Sequence, residues 1–184
     1  MSKQILKTLL AFWLLMAFIG SLPAPGAEVK KADLEILKNL NFREIGPTRE
    51  SGRFVDIAWN EKEPNTFYCA TGSGGLWKTT NNGISFEALF TNEPVFSLGE
   101  VEVAPSDPSI VWIGTGEATN SRSTYWGNGV YKSTDAGKTW THMGLDESHH
   151  IGAIVIHPKN PDIVYVAALG HLYSENPERG LYKT

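Results

Sequence analysis

From Gly52 onward, short apolar runs recur in a fixed order. In the first set Phe54-Val55-Asp56-Ile57-Ala58-Trp59 is followed by Glu63-Pro64-Asn65, by Thr66-Phe67-Tyr68-Cys69-Ala70-Thr71, and by Leu76-Trp77-Lys78-Thr79. The second set runs Phe96 to Val103, Ser106-Asp107-Pro108, Ile110 to Gly116, then Gly129-Val130-Tyr131-Lys132-Ser133. The third runs Ile151 to Ile156, Asn160-Pro161-Asp162, Ile163 to Ala167, then Gly180-Leu181-Tyr182-Lys183. The runs are short, rich in β-branched and aromatic residues, and bounded by Gly, Pro, Asn or Asp, which predicts strands. Each copy reads strand, Pro-containing turn, strand, Gly-aromatic strand, tight turn and short fourth strand. A repeat of that composition is one four-stranded antiparallel blade of a β-propeller. The sequence therefore predicts an all-β chain with blade 1 over 51–92, blade 2 over 93–146 and an incomplete third blade over 147–184. The interval from Pro108 to Pro161 exceeds that from Pro64 to Pro108, and the surplus falls in a loop, 117–128, inserted between the second and third strands of blade 2.

The tight turn of blade 2 is Ser133-Thr134-Asp135-Ala136-Gly137-Lys138-Thr139-Trp140. Asp135 is placed to accept bonds from backbone N–H groups just downstream, Gly137 permits positive φ, and Trp140 anchors the next strand. Ser133, Asp135, Gly137, Thr139 and Trp140 are accordingly structural. Blade 1 carries a degenerate copy with Asn81, Gly83 and Phe86, and Asn still supports such a turn. The stretch resembles the Asp-box of the BNR-repeat β-propellers, a superfamily that holds sialidases, xyloglucan hydrolases, sortilin-type receptors and photosystem assembly factors. From about Phe42 to the end the chain is most similar to large bacterial BNR-repeat proteins of the sortilin-N-terminal-like kind. That resemblance implies a seven-bladed type of propeller, of which this chain supplies an N-terminal fragment with two blades and most of a third, the remaining blades of a longer chain completing the ring. Self-association to complete it is the alternative.

Turn parity sorts the residues of a four-stranded meander. The tight turns lie on one face; the second-to-third connections and the blade-to-blade connections lie on the other. That other face gathers the 117–128 loop, with Glu117, Arg122, Tyr125 and Trp126, together with Asp146 to His150 and Ser174-Glu175-Asn176. An inserted loop bearing Arg, Tyr and Trp offers a stacking surface and a cation; packing on the propeller or a neighbouring domain is the plainer reading. His149 and His150 point opposite ways if extended and lack an evident third ligand, so they read as a solvated loop pair, and no metal or cofactor is expected. Glu100 and Glu102 share a strand face and read as solvated, channel-lining carboxylates.

Two enzyme resemblances are testable by residue. Sialidases carry a Phe/Tyr-Arg-Ile-Pro motif whose Arg grips a carboxylate; Phe42-Arg43-Glu44-Ile45-Gly46-Pro47 is similar only with insertions, which makes Arg43 a candidate ligand-binding residue. Arg53 opens a blade strand and is a second candidate, with a structural pairing as the alternative. Xyloglucan-specific propellers carry an Asp in a Thr-Asp-x-Gly-Gly stretch, and the corresponding Thr71-Gly72-Ser73-Gly74-Gly75 has Gly72 in that place. The resemblance thus implies a binding or scaffold module for a peptide, protein or glycan, without catalytic residues in this fragment; a glycoside hydrolase with acids mostly beyond it is the alternative.

Composition narrows the partners. The chain has 184 residues and a net charge of -4, which argues against nucleic acid. Its single cysteine, Cys69, excludes an internal disulfide and reads as a small buried hydrophobe. Residues 1–27 read as a secretory signal: Lys3 and Lys7 precede the apolar run Leu9 to Ile19, and Ala24 and Gly26 suit a peptidase. An uncleaved anchor is the alternative, although the run is short for a span. Export to the periplasm or outside the cell, without a stable membrane span after signal removal, is expected. Residues 28–50 form a lead-in with a short amphipathic helix, Leu34, Leu37 and Leu40 marking one face.

Overall fold

The computed structural model describes residues 52–119 and 124–184. The expected signal segment, the lead-in helix, Arg43 and Arg122 lie outside the described residues. Within them the chain forms three antiparallel sheets. The first comprises β1 (Phe54–Trp59), β2 (Phe67–Thr71), β3 (Leu76–Thr79) and β4 (Glu87–Leu89). The second comprises β5 (Leu98–Val103), β6 (Val111–Thr115), β7 (Val130–Ser133) and β8 (Thr141–His142). The third comprises β9 (Ile151–Ile156), β10 (Val164–Ala168) and β11 (Gly180–Lys183). Each sheet is a meander in chain order, and β5 lies between β1 and β9. These are blades of a β-propeller, with β1, β5 and β9 as inner strands.

Registers are equivalent from blade to blade. Ile57 pairs with Cys69, Val101 with Ile113, and Ile154 with Val166. All three inner strands shift register near their start, in a bulge on the side opposite the tight turns. Alternation decides which side chains fill the space between sheets. Tyr68, Ala70 and Leu76 of the first sheet pack with Val101, Val103, Val111 and Ile113 of the second. Trp112 and Val130 pack with Ile151, Ile154, Ile156 and Val164 of the third. Full burial of such a side chain is worth about 1.5–3 kcal/mol, so the interblade layers are the core. At the register position of Val101 and Ile154, Ile57 is 57% exposed, as is Trp59; Val155 on the third sheet is 59% exposed. The outer faces of the arc therefore carry apolar residues of the kind buried between its sheets.

The two tight turns share one hydrogen-bond pattern. Ser133 Oγ donates to Asp135 Oδ1 at 2.8 Å, Gly137 N–H donates to Ser133 Oγ at 2.8 Å, and Thr139 N–H donates to Asp135 Oδ1 at 2.9 Å. In blade 1 Thr79 Oγ1 donates to Asn81 Oδ1 at 3.0 Å, Gly83 N–H to Thr79 Oγ1 at 2.9 Å, and Ser85 N–H to Asn81 Oδ1 at 2.9 Å. Positive φ falls at Ala136 and Gly137, and equally at Asn82 and Gly83. Bonds from Thr139, then from Ser133, hold the Asp135 carboxyl down to about 2. Every acceptor of Asp135 is engaged within the turn, as its structural assignment requires. The turn also ties blades together: the Ala136 carbonyl accepts from Tyr68 Oη at 3.1 Å and Lys78 Nζ at 3.0 Å.

Cys69 is buried, and burial pushes its thiol up. Glu100 and Glu102 depart from the sequence expectation. They are half-buried rather than solvated, and burial, then the neighbouring Asp56 carboxyl, pushes each up to about 7. Their folded values exceed the ordinary 4.5, so the folded state holds extra protons in between. Their stabilising contribution is complete below about 4.5 and is lost as pH rises through about 7. Replacing both by Gln is expected to raise stability at pH 8 relative to stability at pH 5. Urea denaturation of the chain and the double variant checks this. His149 and His150 are both lowered, the opposite sense to the two carboxyls, and being common to both proteins they cancel in the difference; equal pH dependence in the two proteins would contradict it.

Candidate functional site

The face opposite the tight turns is built from equivalent backbone clasps. Gly72 N–H donates to the Arg53 carbonyl at 3.0 Å, Gly116 N–H to the Ser97 carbonyl at 2.8 Å, and Leu169 N–H to the His150 carbonyl at 2.8 Å. Arg53, Ser97 and His150 thus occupy equivalent positions at the mouths of the three inner strands. Thr71 and Thr115 lock the loops beside them: their Oγ1 atoms donate to the Gly75 and Gly129 carbonyls at 2.8 and 2.7 Å.

Arg53 does not present a free guanidinium. Its Nε and Nη2 form a two-point pair with the carboxylate of Glu117. The Arg53 side chain is 43% exposed, while that of Glu117 is fully buried. Thr119 Oγ1 donates to Glu117 Oε1 at 2.6 Å. The sequence offered Glu117 as a ligand contact; burial beneath the loop makes it a support instead. Gly72 explains where the carboxylate sits. A Cβ on Gly72 would lie 2.9 Å from Glu117 Cδ, so Glu117 occupies the space a side chain at position 72 would need.

Above this pair the described part of the inserted loop is pinned to the blade-to-blade connection. Ser97 Oγ donates to the Tyr125 carbonyl at 3.0 Å, Glu117 N–H donates to Ser97 Oγ at 3.1 Å, and Gly127 N–H donates to the His149 carbonyl at 2.7 Å. The result is an open cleft of about 400 Å³, lined by Pro94, Val95, Phe96, Ser97, Thr124, Tyr125 and Trp126. Phe96 and Tyr125 stand 5.3 Å apart between ring centroids, and Trp126 is 68% exposed. A larger cleft, about 460 Å³, borders β4 and the Trp140 turn; it has charged walls and lies away from the inserted loop. The sequence placed Phe96 and Ser97 at the start of the blade-2 inner strand, whereas they precede β5 and line the cleft. Their signal was the same turn parity, since they stand in a blade-to-blade connection on the loop's own face.

The histidines depart from a solvated pair. His150 is 5% exposed and half-exposed His149 lies against Trp126, 5.2 Å between centroids. His149 also stacks on His171 at 3.8 Å. Burial, then the neighbouring His171, lowers His149; burial lowers His150, opposed in part by its bond to the Glu117 carbonyl.

No protein-family model matches the sequence, and no curated protein matches it. Among solved structures, the chain is similar to an ancestral GH74 enzyme, with a TM-score of 0.52 and 23% identity over 64% of this chain. It is similar also to the Niastella koreensis GH74 enzyme, with a TM-score of 0.44, 27% identity and 59% coverage, and to the GH74 xyloglucanase of Xanthomonas campestris, with 0.45, 19% and 70%. The chain spans 14%, 17% and 23% of those proteins respectively. The first likeness shows the shared propeller fold.

Proposed function

We propose that the chain belongs to an exported BNR/Asp-box propeller that binds a neutral glycan in the Phe96–Tyr125–Trp126 cleft. The observation that carries this reading is the exposed aromatic wall on the face opposite the tight turns. Sugar rings present apolar C–H faces that stack on aromatic side chains, and such rings supply large contact area with a polar edge. Arg53 is committed to Glu117, which favours a neutral chain over an acidic sugar. The matching hydrogen-bond patterns of Asp135 and Asn81 support membership of the Asp-box family. Further blades would cover Ile57, Trp59 and Val155.

Xyloglucan oligosaccharides are the first probe, since one structural neighbour is a xyloglucanase. Trp126→Ala is expected to weaken their binding by about tenfold to thirtyfold, the loss of one aromatic anchor, with unchanged denaturation. Calorimetric titration checks it; equal affinity in variant and parent sinks the site.

A hydrolytic reading is second. It rests on the likeness to GH74 enzymes and on Glu100 and Glu102, whose near-neutral carboxyls suit general acid work. Release of reducing ends from β-glucan by the whole protein, abolished by Glu100→Gln or Glu102→Gln, would support it; unchanged turnover in both variants would remove these two as its acids.

A further inference from the structure

We infer that Glu147, His149 and His171 form a binding site for a divalent cation of the zinc class, beside the aromatic cleft. The three come from two connections on one face. Glu147 and His149 lie in the turn between β8 and β9, and His171 follows β10. One ligand atom from each lies within 4.8 Å of the others. Two imidazoles and a carboxylate are a donor set suited to zinc, with a fourth position left for water or a ligand.

Three observations point to a cation rather than to packing alone. The buried Nε2 of His171 has no hydrogen-bond partner among the described residues, while its Nδ1 lies 3.4 Å from Ser174 Oγ. A buried polar nitrogen without a partner is costly, and a lone pair on Nε2 is what a metal needs. Second, His149 is held at φ 55 and ψ -44, a strained backbone that keeps its ring against His171. Third, the backbone of His171 is fixed. Its carbonyl accepts from Arg179 Nη2 at 2.9 Å and Asn176 Nδ2 at 3.2 Å, and a Cβ on Gly170 would collide with Asn176. Zinc bonds of about 2.0–2.2 Å require ligand atoms roughly 3.3–3.6 Å apart. Imidazole lone pairs lie in the ring plane, so binding requires His149 and His171 to part from their 3.8 Å stack and turn their edges to the ion, while the exposed Glu147 side chain swings in. His150, buried and directed to the Glu117 carbonyl, is not a ligand.

The site adjoins Trp126, whose ring lies against His149. A cation there places its open position at the end of the aromatic wall, within reach of a hydroxyl of a bound ligand.

The test is titration of the full chain with zinc chloride alone, in a buffer that does not chelate. The expected result is one zinc per chain, with affinity lowered about a hundredfold or more by His171→Ala and about tenfold by Glu147→Gln; loss of an outer partner alone typically costs 10–100-fold. Cobalt should quench fluorescence in the parent and much less in Trp126→Phe. Glu147 is exposed, so Glu147→Gln keeps the test valid if His171→Ala fails to fold. Absence of stoichiometric binding, or equal affinity in both variants, overturns the inference.

Discussion

Arg53→Ala is expected to lower stability by about 3 kcal/mol, more than Glu117→Ala does. Breaking a buried ion pair typically costs about 3–5 kcal/mol because it strands the remaining charge. Here the stranding is asymmetric: the Glu117 side chain is fully buried and the Arg53 side chain is 43% exposed. Removing Arg53 leaves a carboxylate in the interior with Thr119 as its side-chain donor. Removing Glu117 leaves a guanidinium that already reaches water. The figure sits at the low end because that same exposure screens the pair. Arg53→Met with Glu117→Leu is expected to recover most of the loss, since apolar replacement of a buried pair is often neutral or better. Urea denaturation of the three variants checks the order; a Glu117→Ala cost equal to or above that of Arg53→Ala would contradict it.

The second large effect is expected from Gly99→Ala. A Cβ on Gly99 would lie 2.2 Å from the Ile151 carbonyl oxygen and 2.5 Å from that of Gly116. Both are backbone atoms, so no side-chain rotation relieves the clash. The blade-2 inner strand must move away from β9, opening the layer that buries Ile151 and Ile154. Overpacking a dense interior costs about 1–3 kcal/mol, occasionally more, and two rigid contacts place this case at or above the upper end. Gly144→Ala is the control for size: its Cβ meets nothing within 4 Å, leaving only the positive-φ penalty at that position. A Gly99→Ala protein as stable as the parent would mean that β5 and β9 do not pack as described.

Blade architecture was legible in the sequence because it repeats. Three copies of the same strand order, each with a Pro turn, overrode the ambiguity of any single apolar run. The turn at Ser133 to Trp140 was legible because its chemistry is local: Asp135 bonds only to neighbours in sequence. The site was less legible for the complementary reason. Glu117 and Arg53 are distant in sequence, and nothing in either local pattern shows that Gly72 leaves room for their pairing. Likewise Glu100 and Glu102 alternate like solvent-facing residues, yet their face meets Asp56 and the third sheet. His149 and His150 lacked a third partner because His171 enters from another connection, across the β9–β10 hairpin.

The central claim is the division of the propeller into a supporting face, closed by the turns at Asn81 and Asp135, and a working face around Trp126. Amide hydrogen exchange of the full chain, with and without xyloglucan oligosaccharide, tests it directly. The account predicts slowed exchange over 95–98, 124–127 and 147–150 on binding, and no change over 133–140. Protection confined to 79–86 or 133–140, with none around Trp126, would contradict it.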